Sequence, residues 1–314
     1  MAELVSAIVP TFRRPHLLER SLGSVLRQTY RPLELVVVDD GSGDNTTQVL
    51  DAFAAKAASA GVEYRHLSQE NGGPGAARNR AIEHAQGELL AFLDDDDRWY
   101  PQKLETQISM MGTYPEAGVS FTRFVYEGKE HTPKPSMQRM CDGWVFETLC
   151  HGRTRAHMQT LMVRREVASR IGAFKQEKAW DDTEYTLRLA LETPFLAVHD
   201  ALTVICTEAD SLSRKGGLEG DLLRDADKLR ILDDFIARHA DHPRFCPEAA
   251  RALRARIYDE HIKHLLWLGR LDAARQGWDR ALEECGEHAM LSKLRSKLTR
   301  ARLKGWFGMR LKKP

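Results

Sequence analysis

Short apolar runs alternate with amphipathic stretches through the first half of the chain. Residues 4–9 read as a strand, and Leu18, Leu22, Val25 and Leu26 then recur at helical spacing. Residues 33–38 are almost all β-branched or leucine, as expected of a strand covered on both faces. A helix follows over about 45–58, carried by Val49, Leu50, Phe53 and Ala57. A strand at 62–67, a helix at 76–85 and a strand at 89–93 continue the rhythm. This βαβα order predicts an α/β fold, a mainly parallel sheet flanked by helices.

The rhythm then loosens. Residues 101–111 are helical, with Leu104, Ile108 and Met111 on one side and Pro101 in the first turn. Residues 119–125 and 160–163 read as strands, 183–191 as a helix, and 127–140, with Pro133 and Pro135, as an excursion loop. Beyond about residue 220 the pattern is helical throughout: 222–240, 247–268, 271–284 and 290–303. A boundary near Gly216-Gly217 divides the chain into 1–216 and a helical C-terminal region, 217–314. Leu265 to Gly269, with Ala274, Trp278 and Ala281, echoes one tetratricopeptide helix pair. A single copy lacks the neighbours that cover such repeats, so an ordinary hairpin packed on the main domain is the simpler expectation.

Composition narrows the class. A 314-residue chain with 42% hydrophobic and 29% charged residues can bury a large core. Its formal net charge of +1 gives no overall pull toward nucleic acid. The end is different: 292–314 is basic with no acid. Leu291, Leu294, Leu298 and Ala301 form an apolar stripe there, followed by Trp306, Phe307 and Met309. Such a helix either lies on an anionic membrane or docks on the protein with a solvated cationic face. The five cysteines are scattered without C-x-x-C spacing, which points away from zinc and disulfides. The first residues lack signal-peptide character, and no apolar run approaches the ~20 residues of a membrane span. A cytoplasmic protein is expected, with peripheral membrane contact through 292–314 as an open reading.

Candidate chemistry begins at Asp94, Asp95, Asp96 and Asp97, directly after the apolar run 89–93. Neighbouring carboxylates repel by roughly 1 kcal/mol per pair in water at about 4 Å, and by more near a protein surface. A hard divalent cation, Mg²⁺ or Mn²⁺, reverses that penalty and brings substrate phosphate with it. The bland alternative is a solvated acidic loop. Yet strand one runs into Pro10-Thr11 and strand two into Asp39-Asp40-Gly41-Ser42, and parallel strands deliver such ends to one crevice. The glycine-rich turn Asn71 to Asn79 opens a helix whose free N–H groups and Arg78 could face a phosphate, or could simply cap the helix. Trp180-Asp181-Asp182-Thr183-Glu184 opens another helix, where Asp182 is either an N-cap or a general base.

Together these stretches, with 87–97 and 180–189, resemble the family 2 glycosyltransferases of GT-A fold over about residues 4–215. The resemblance implies an inverting, metal-dependent transfer of a sugar from a nucleotide-diphosphate donor, UDP-sugar by default, to a glycan or lipid-linked acceptor in envelope or surface polysaccharide synthesis. It implies that Pro10, Thr11 and Asp40 hold the nucleobase and that Arg78 lies near the nucleotide. Asp96 would be the ligand of Mn²⁺ or Mg²⁺, with Asp94 or Asp95 toward ribose and donor sugar. Asp182 would be the base, although Asp181 stands where the family usually has Glu. Asp97, Trp180, Asp181 and Arg188 are further candidates for donor or acceptor contacts. Rival readings are a non-catalytic nucleotide-sugar-binding scaffold on the same fold and a sugar nucleotidyltransferase, which would not need Asp182. A phosphohydrolase would want Thr or Val where Arg98 stands, and its motif on the first strand.

Overall fold

The computed structural model describes residues 2–128, 140–177, 180–206 and 216–306; most of the expected excursion loop and the end of the tail lie outside them. Two compact units emerge, Met1–Val145 with Arg153–Glu208, and Phe146–Gly152 with Ala209–Pro314.

The first unit opens with β1 (Val5–Thr11), α1 (Pro15–Leu26), β2 (Leu33–Asp39), α2 (Thr46–Ser59), β3 (Glu63–Ser68), α3 (Pro74–His84) and β4 (Leu89–Phe92). β1, β2 and β4 are buried at every position, which explains their unbroken apolar character. β3 alternates in exposure, as an edge strand does. Next come β5 (Arg98–Trp99), α4 (Lys103–Thr113), β6 (Val119–Tyr126), β7 (Leu161–Arg164), α6 (Arg165–Ile171), α7 (Asp181–Glu192) and β8 (Phe195–Ile205), with a 3₁₀ turn at Met158–Thr160 ahead of β7.

These eight strands form one sheet in the order β3-β2-β1-β4-β7-β6-β8-β5. The first four run parallel, so the carboxyl ends of β1, β2 and β4 share an edge. β7 then pairs antiparallel with both β4 and β6, while β6 and β8 are parallel. The sheet is therefore mixed, parallel in the half the sequence made plain. Leu18, Leu22, Val25, Leu50, Phe53, Leu104 and Met111 of the helices pack on one face of it. β8, eleven residues long, was not expected from the sequence; it is the longest strand among the described residues.

The second unit is helical: α5 (Phe146–Cys150), α8 (Gly217–His239), α9 (Pro247–Trp267), α10 (Leu271–Cys285) and α11 (Ala289–Trp306). α5, from the middle of the chain, belongs to it through Phe146, which stacks on Phe235 with ring centroids 6.1 Å apart. Its core gathers Tyr258, Ile262, Leu265, Ala274, Ala281, Leu291 and Leu294. Leu291 and Leu294 are fully buried, and Trp278 donates its indole N–H to the Leu291 carbonyl at 3.2 Å. That much of the tail's apolar stripe is docked on protein, while Lys293, Arg295 and Lys297 are exposed. No helix among the described residues is long and apolar enough to cross a membrane.

Candidate active site

The site is built at the carboxyl edge of the parallel strands. Pro10, in register with Val38, and Thr11, in register with Asp39, are buried at the end of β1. Beyond β2, the Asp40 carboxylate is buried and accepts from Gln69 Nε2 at 2.7 Å, Gly72 N at 2.9 Å and Gly73 N at 2.8 Å. The N–H groups expected to face a phosphate are thus partly spent: two of them hold Asp40. Gly41 has φ +76°, and a Cβ there would lie 2.9 Å from the Asn71 backbone nitrogen, so close approach of the two loops requires glycine.

After β4 the chain turns sharply, with Asp97 N donating to the Asp94 carbonyl at 3.1 Å. The four consecutive carboxylates are thereby sent to different partners. Asp94 accepts from Arg78 Nη2 at 2.7 Å. Asp95 accepts from Thr11 Oγ1 at 2.8 Å and from Arg14 Nη1 at 3.0 Å. Asp96 accepts from the same Arg14 nitrogen at 3.0 Å, and Arg20 of α1 holds the Asp96 carbonyl at 2.8 Å. Asp97 is buried against Gln159 Nε2 at 2.7 Å and the Cys206 N–H at 2.8 Å.

Burial and crowding set their charge. Burial first, then repulsion from Asp94 and Asp96, pushes Asp97 up to about 9, so it carries its proton at neutral pH. The same two causes, burial and then Asp94 and Asp95, raise Asp96 to about 6. Burial works against the charge of Arg14, but Asp95 and Asp96 outweigh it and its pKa rises.

The second acidic segment meets the first through one side chain. Arg78, from α3, is buried and bridges Asp94 and Asp181 Oδ2, the latter at 3.0 Å. Burial raises Asp181 to about 6 despite Arg78. Gly75, one turn before Arg78, permits this approach: a Cβ would stand 2.8 Å from the Lys175 carbonyl and 3.1 Å from Asp181 Oδ2. Trp180 takes the N-cap position of α7 in a left-handed conformation, φ 67°. Asp182 is therefore inside the helix rather than its cap residue. Its Oδ1 accepts from Thr183 N at 2.6 Å and Thr183 Oγ1 at 3.3 Å, while its charge acts on Arg78 without a direct ion pair among the described residues.

Two of the candidate contact residues are hydrogen-bonded within the protein. Arg188 Nε donates to Glu184 at 3.0 Å, and Nη1 and Nη2 donate to the carbonyls of Ile171 and Ala173 at 2.5 and 2.8 Å. A helical Arg four residues after Glu184 finds its partner on its own helix and turns inward. Asp97, a candidate for donor or acceptor contacts, accepts from Gln159 and the Cys206 N–H within the protein.

Two residues escaped the sequence reading. Arg14 and Gln159 look like ordinary polar residues near helix ends, and no local spacing marks them. His157 packs edge-on against Phe124 at 4.7 Å with a buried Nε2 lacking a hydrogen-bond partner. Burial lowers its pKa, opposed by the nearby Asp182 and Asp94, so the imidazole lies within electrostatic reach of both acidic segments.

Oxygens of Asp94, Asp96 and Asp97 lie within 4.8 Å of one another. An all-oxygen donor set suits Mg²⁺ or Mn²⁺, and the repulsion from Asp94 and Asp95 that adds to burial in raising Asp96 is what a divalent cation would relieve. The residues present fit such an ion.

A sequence model of glycosyl transferase family 2 matches residues 6–174. Among curated proteins, the UDP-Glc:alpha-D-GlcNAc-diphosphoundecaprenol beta-1,3-glucosyltransferase WfgD of Escherichia coli is 44% identical over 109 residues, 34% of this chain and 41% of the relative. The putative teichuronic acid biosynthesis glycosyltransferase TuaG of Bacillus subtilis is 37% identical over 130 residues, 41% of this chain and 50% of the relative. The matches span half or less of these relatives' length. Among solved structures, mannosyltransferase PcManGT from Pyrobaculum calidifontis, in complex with GDP-Man and Mn²⁺, superposes with TM-score 0.63 at 20% identity, covering 98% of this chain and 84% of that one. S. aureus TarS 1-349 in complex with UDP-GlcNAc gives TM-score 0.58 at 18% identity, covering 93% and 92%. These structural likenesses establish the GT-A-type fold.

Proposed function

Since the chain belongs to glycosyl transferase family 2, we propose that it transfers a sugar from a nucleotide diphosphate, UDP-sugar first among them, to a hydroxyl acceptor with inversion at the anomeric carbon. The observation that carries this reading is Arg78, which ties Asp94 of the acidic loop to Asp181 at the head of α7 and so gathers two distant carboxylate clusters into one site. Pro10, Thr11 and the Asp40 turn form its floor on the nucleotide side. Asp94 and Asp96 would hold Mn²⁺ or Mg²⁺, with Asp97 as a neutral neighbour; bound there, the ion would neutralise charge on the departing diphosphate.

Asp182 is the base in this scheme. It takes the proton from the acceptor hydroxyl as that oxygen attacks the anomeric carbon, and the bond to the diphosphate breaks on the opposite face. Its carboxylate makes no ion pair and accepts only from the neighbouring Thr183 among the described residues, which leaves Oδ2 open to an acceptor hydroxyl and supports the role. Asp181 has its Oδ2 committed to Arg78, so its role in this scheme is to hold that bridge. Polymer synthesis on lipid-linked acceptors is the setting suggested by WfgD and TuaG. The exposed Lys293, Arg295 and Lys297 would place the helical unit against anionic headgroups, at the inner face of the cytoplasmic membrane.

Thermal shift with UDP, GDP and their sugars, each with Mn²⁺, tests donor binding; ligand at 100 times its dissociation constant adds about 2.7 kcal/mol. Asp182→Asn should keep the shift and lose transfer by about 10²-fold or more, the scale of general-base catalysis. Asp96→Asn should lose the metal-dependent part of the shift. Full turnover by Asp182→Asn would remove it from the mechanism, and no shift with any nucleotide would favour a scaffold.

A further inference from the structure

Resting on the metal-dependent reading above, we propose that Arg14 holds the place of the divalent cation in the nucleotide-free site, so that the cation enters by taking Asp96 from a guanidinium already bound there. One nitrogen carries the argument. Arg14 Nη1 lies 3.0 Å from Asp95 Oδ1 and 3.0 Å from Asp96 Oδ2, a single positive centre between two carboxylates. Its side chain is 13% exposed, so this is not a solvated surface pair.

The backbone aims it there. Arg13, just before, sits in the left-handed region at φ 54°, uncommon for a residue with a side chain. It is fixed by its N–H to Ser42 Oγ at 2.8 Å and its Nε to the Ser42 carbonyl at 3.0 Å. The turn after β2 thus orients the residue that guards the turn after β4.

The acids differ in how firmly they are held. Asp94 is tied to the buried Arg78, Asp95 has Thr11 as well as Arg14, and Asp97 is fixed by Gln159 and the Cys206 N–H. The Asp96 backbone is held by Arg20, but its carboxylate has as side-chain partner among the described residues only an Arg14 nitrogen that it divides with Asp95, so it is the carboxylate a cation can claim at least loss. Arg14 can then stay on Asp95. Entry becomes an exchange of one positive group for another, which weakens binding of the ion alone and leaves the acidic cluster neutralised between turnovers.

Free Mn²⁺, followed by its electron paramagnetic resonance signal during titration without nucleotide, reads this directly. Arg14→Gln should bind Mn²⁺ at least tenfold tighter than the unaltered chain, and in EDTA it should unfold at a lower temperature that Mn²⁺ restores. Equal or weaker binding by folded Arg14→Gln overturns the proposal. If that variant does not fold, Arg14→Lys replaces it: an ammonium of shorter reach should give a two- to fivefold gain, and no gain is again fatal. Asp96→Asn separates the two readings. Binding lost in Asp96→Asn but equal in Arg14→Gln and the unaltered chain sinks the exchange alone. No Mn²⁺ binding by the unaltered chain sinks the metal site with it.

Discussion

Lys103 shows how a single buried residue shapes solution behaviour. It is fully buried in α4, with Nζ 2.6 Å from Gln107 Oε1 and 4.3 Å from the Trp99 ring centre. Burial holds its pKa well below the ordinary lysine value. The unfolded chain binds this proton up to the normal lysine range and the folded chain does not. Stability from this site therefore rises with pH between the depressed and the ordinary value, at about 1.4 kcal/mol per unit. Lys103→Met should remove that slope. Urea titrations of both proteins across the alkaline range test it, and parallel curves would show that Lys103 is charged when folded. At the same scale, the contrast between Arg78 and Arg188 was invisible in the sequence. Both follow helix starts, yet one joins two acidic clusters and the other closes on its own helix.

At the scale of elements, the register of β4 decides where the aspartates emerge. Glu34 of β2, buried, takes the Ser6 hydroxyl from β1 and the N–H groups of Gln86 and Gly87, at 2.5 and 3.0 Å, from the loop that enters β4. Three strands are pinned by one carboxylate. Glu34→Ala would leave buried donors without an acceptor and should destabilise the protein by about 2–3 kcal/mol. Glu34→Gln, which keeps one acceptor oxygen, should cost less. Equal losses in chemical denaturation would mean that packing, not these hydrogen bonds, holds the loop. β1 to β4 and their helices were legible because each is a local pattern. β8 was not: its apolar residues are interrupted at His199-Asp200, where its pairing with β6 also shifts register, so no unbroken run announced an eleven-residue strand.

For the molecule as a whole, the tail is where sequence left two readings open. With Leu291 and Leu294 buried in the helical unit, these two leucines are committed to its core rather than to lipid. The exposed bases remain for electrostatic attraction, worth about 1 kcal/mol each near an anionic surface. Lys293→Glu, Arg295→Glu and Lys297→Glu together should reduce co-sedimentation with phosphatidylserine vesicles at low salt while leaving the melting temperature within a few degrees. Unchanged sedimentation would discard the membrane role.

The strand ends, the carboxylate run and the helix starts were determined by the sequence alone, because each depends on residues adjacent in the chain and on the period of the elements that carry them. Tertiary structure decided which charge meets which. Asp95 finds its arginine 81 positions away and Asp181 finds its own 103 positions away. Separations of that size carry no periodic signal. The pairing follows from the crossing of whole strands and helices, and desolvation then separates the charged acids from one that keeps its proton.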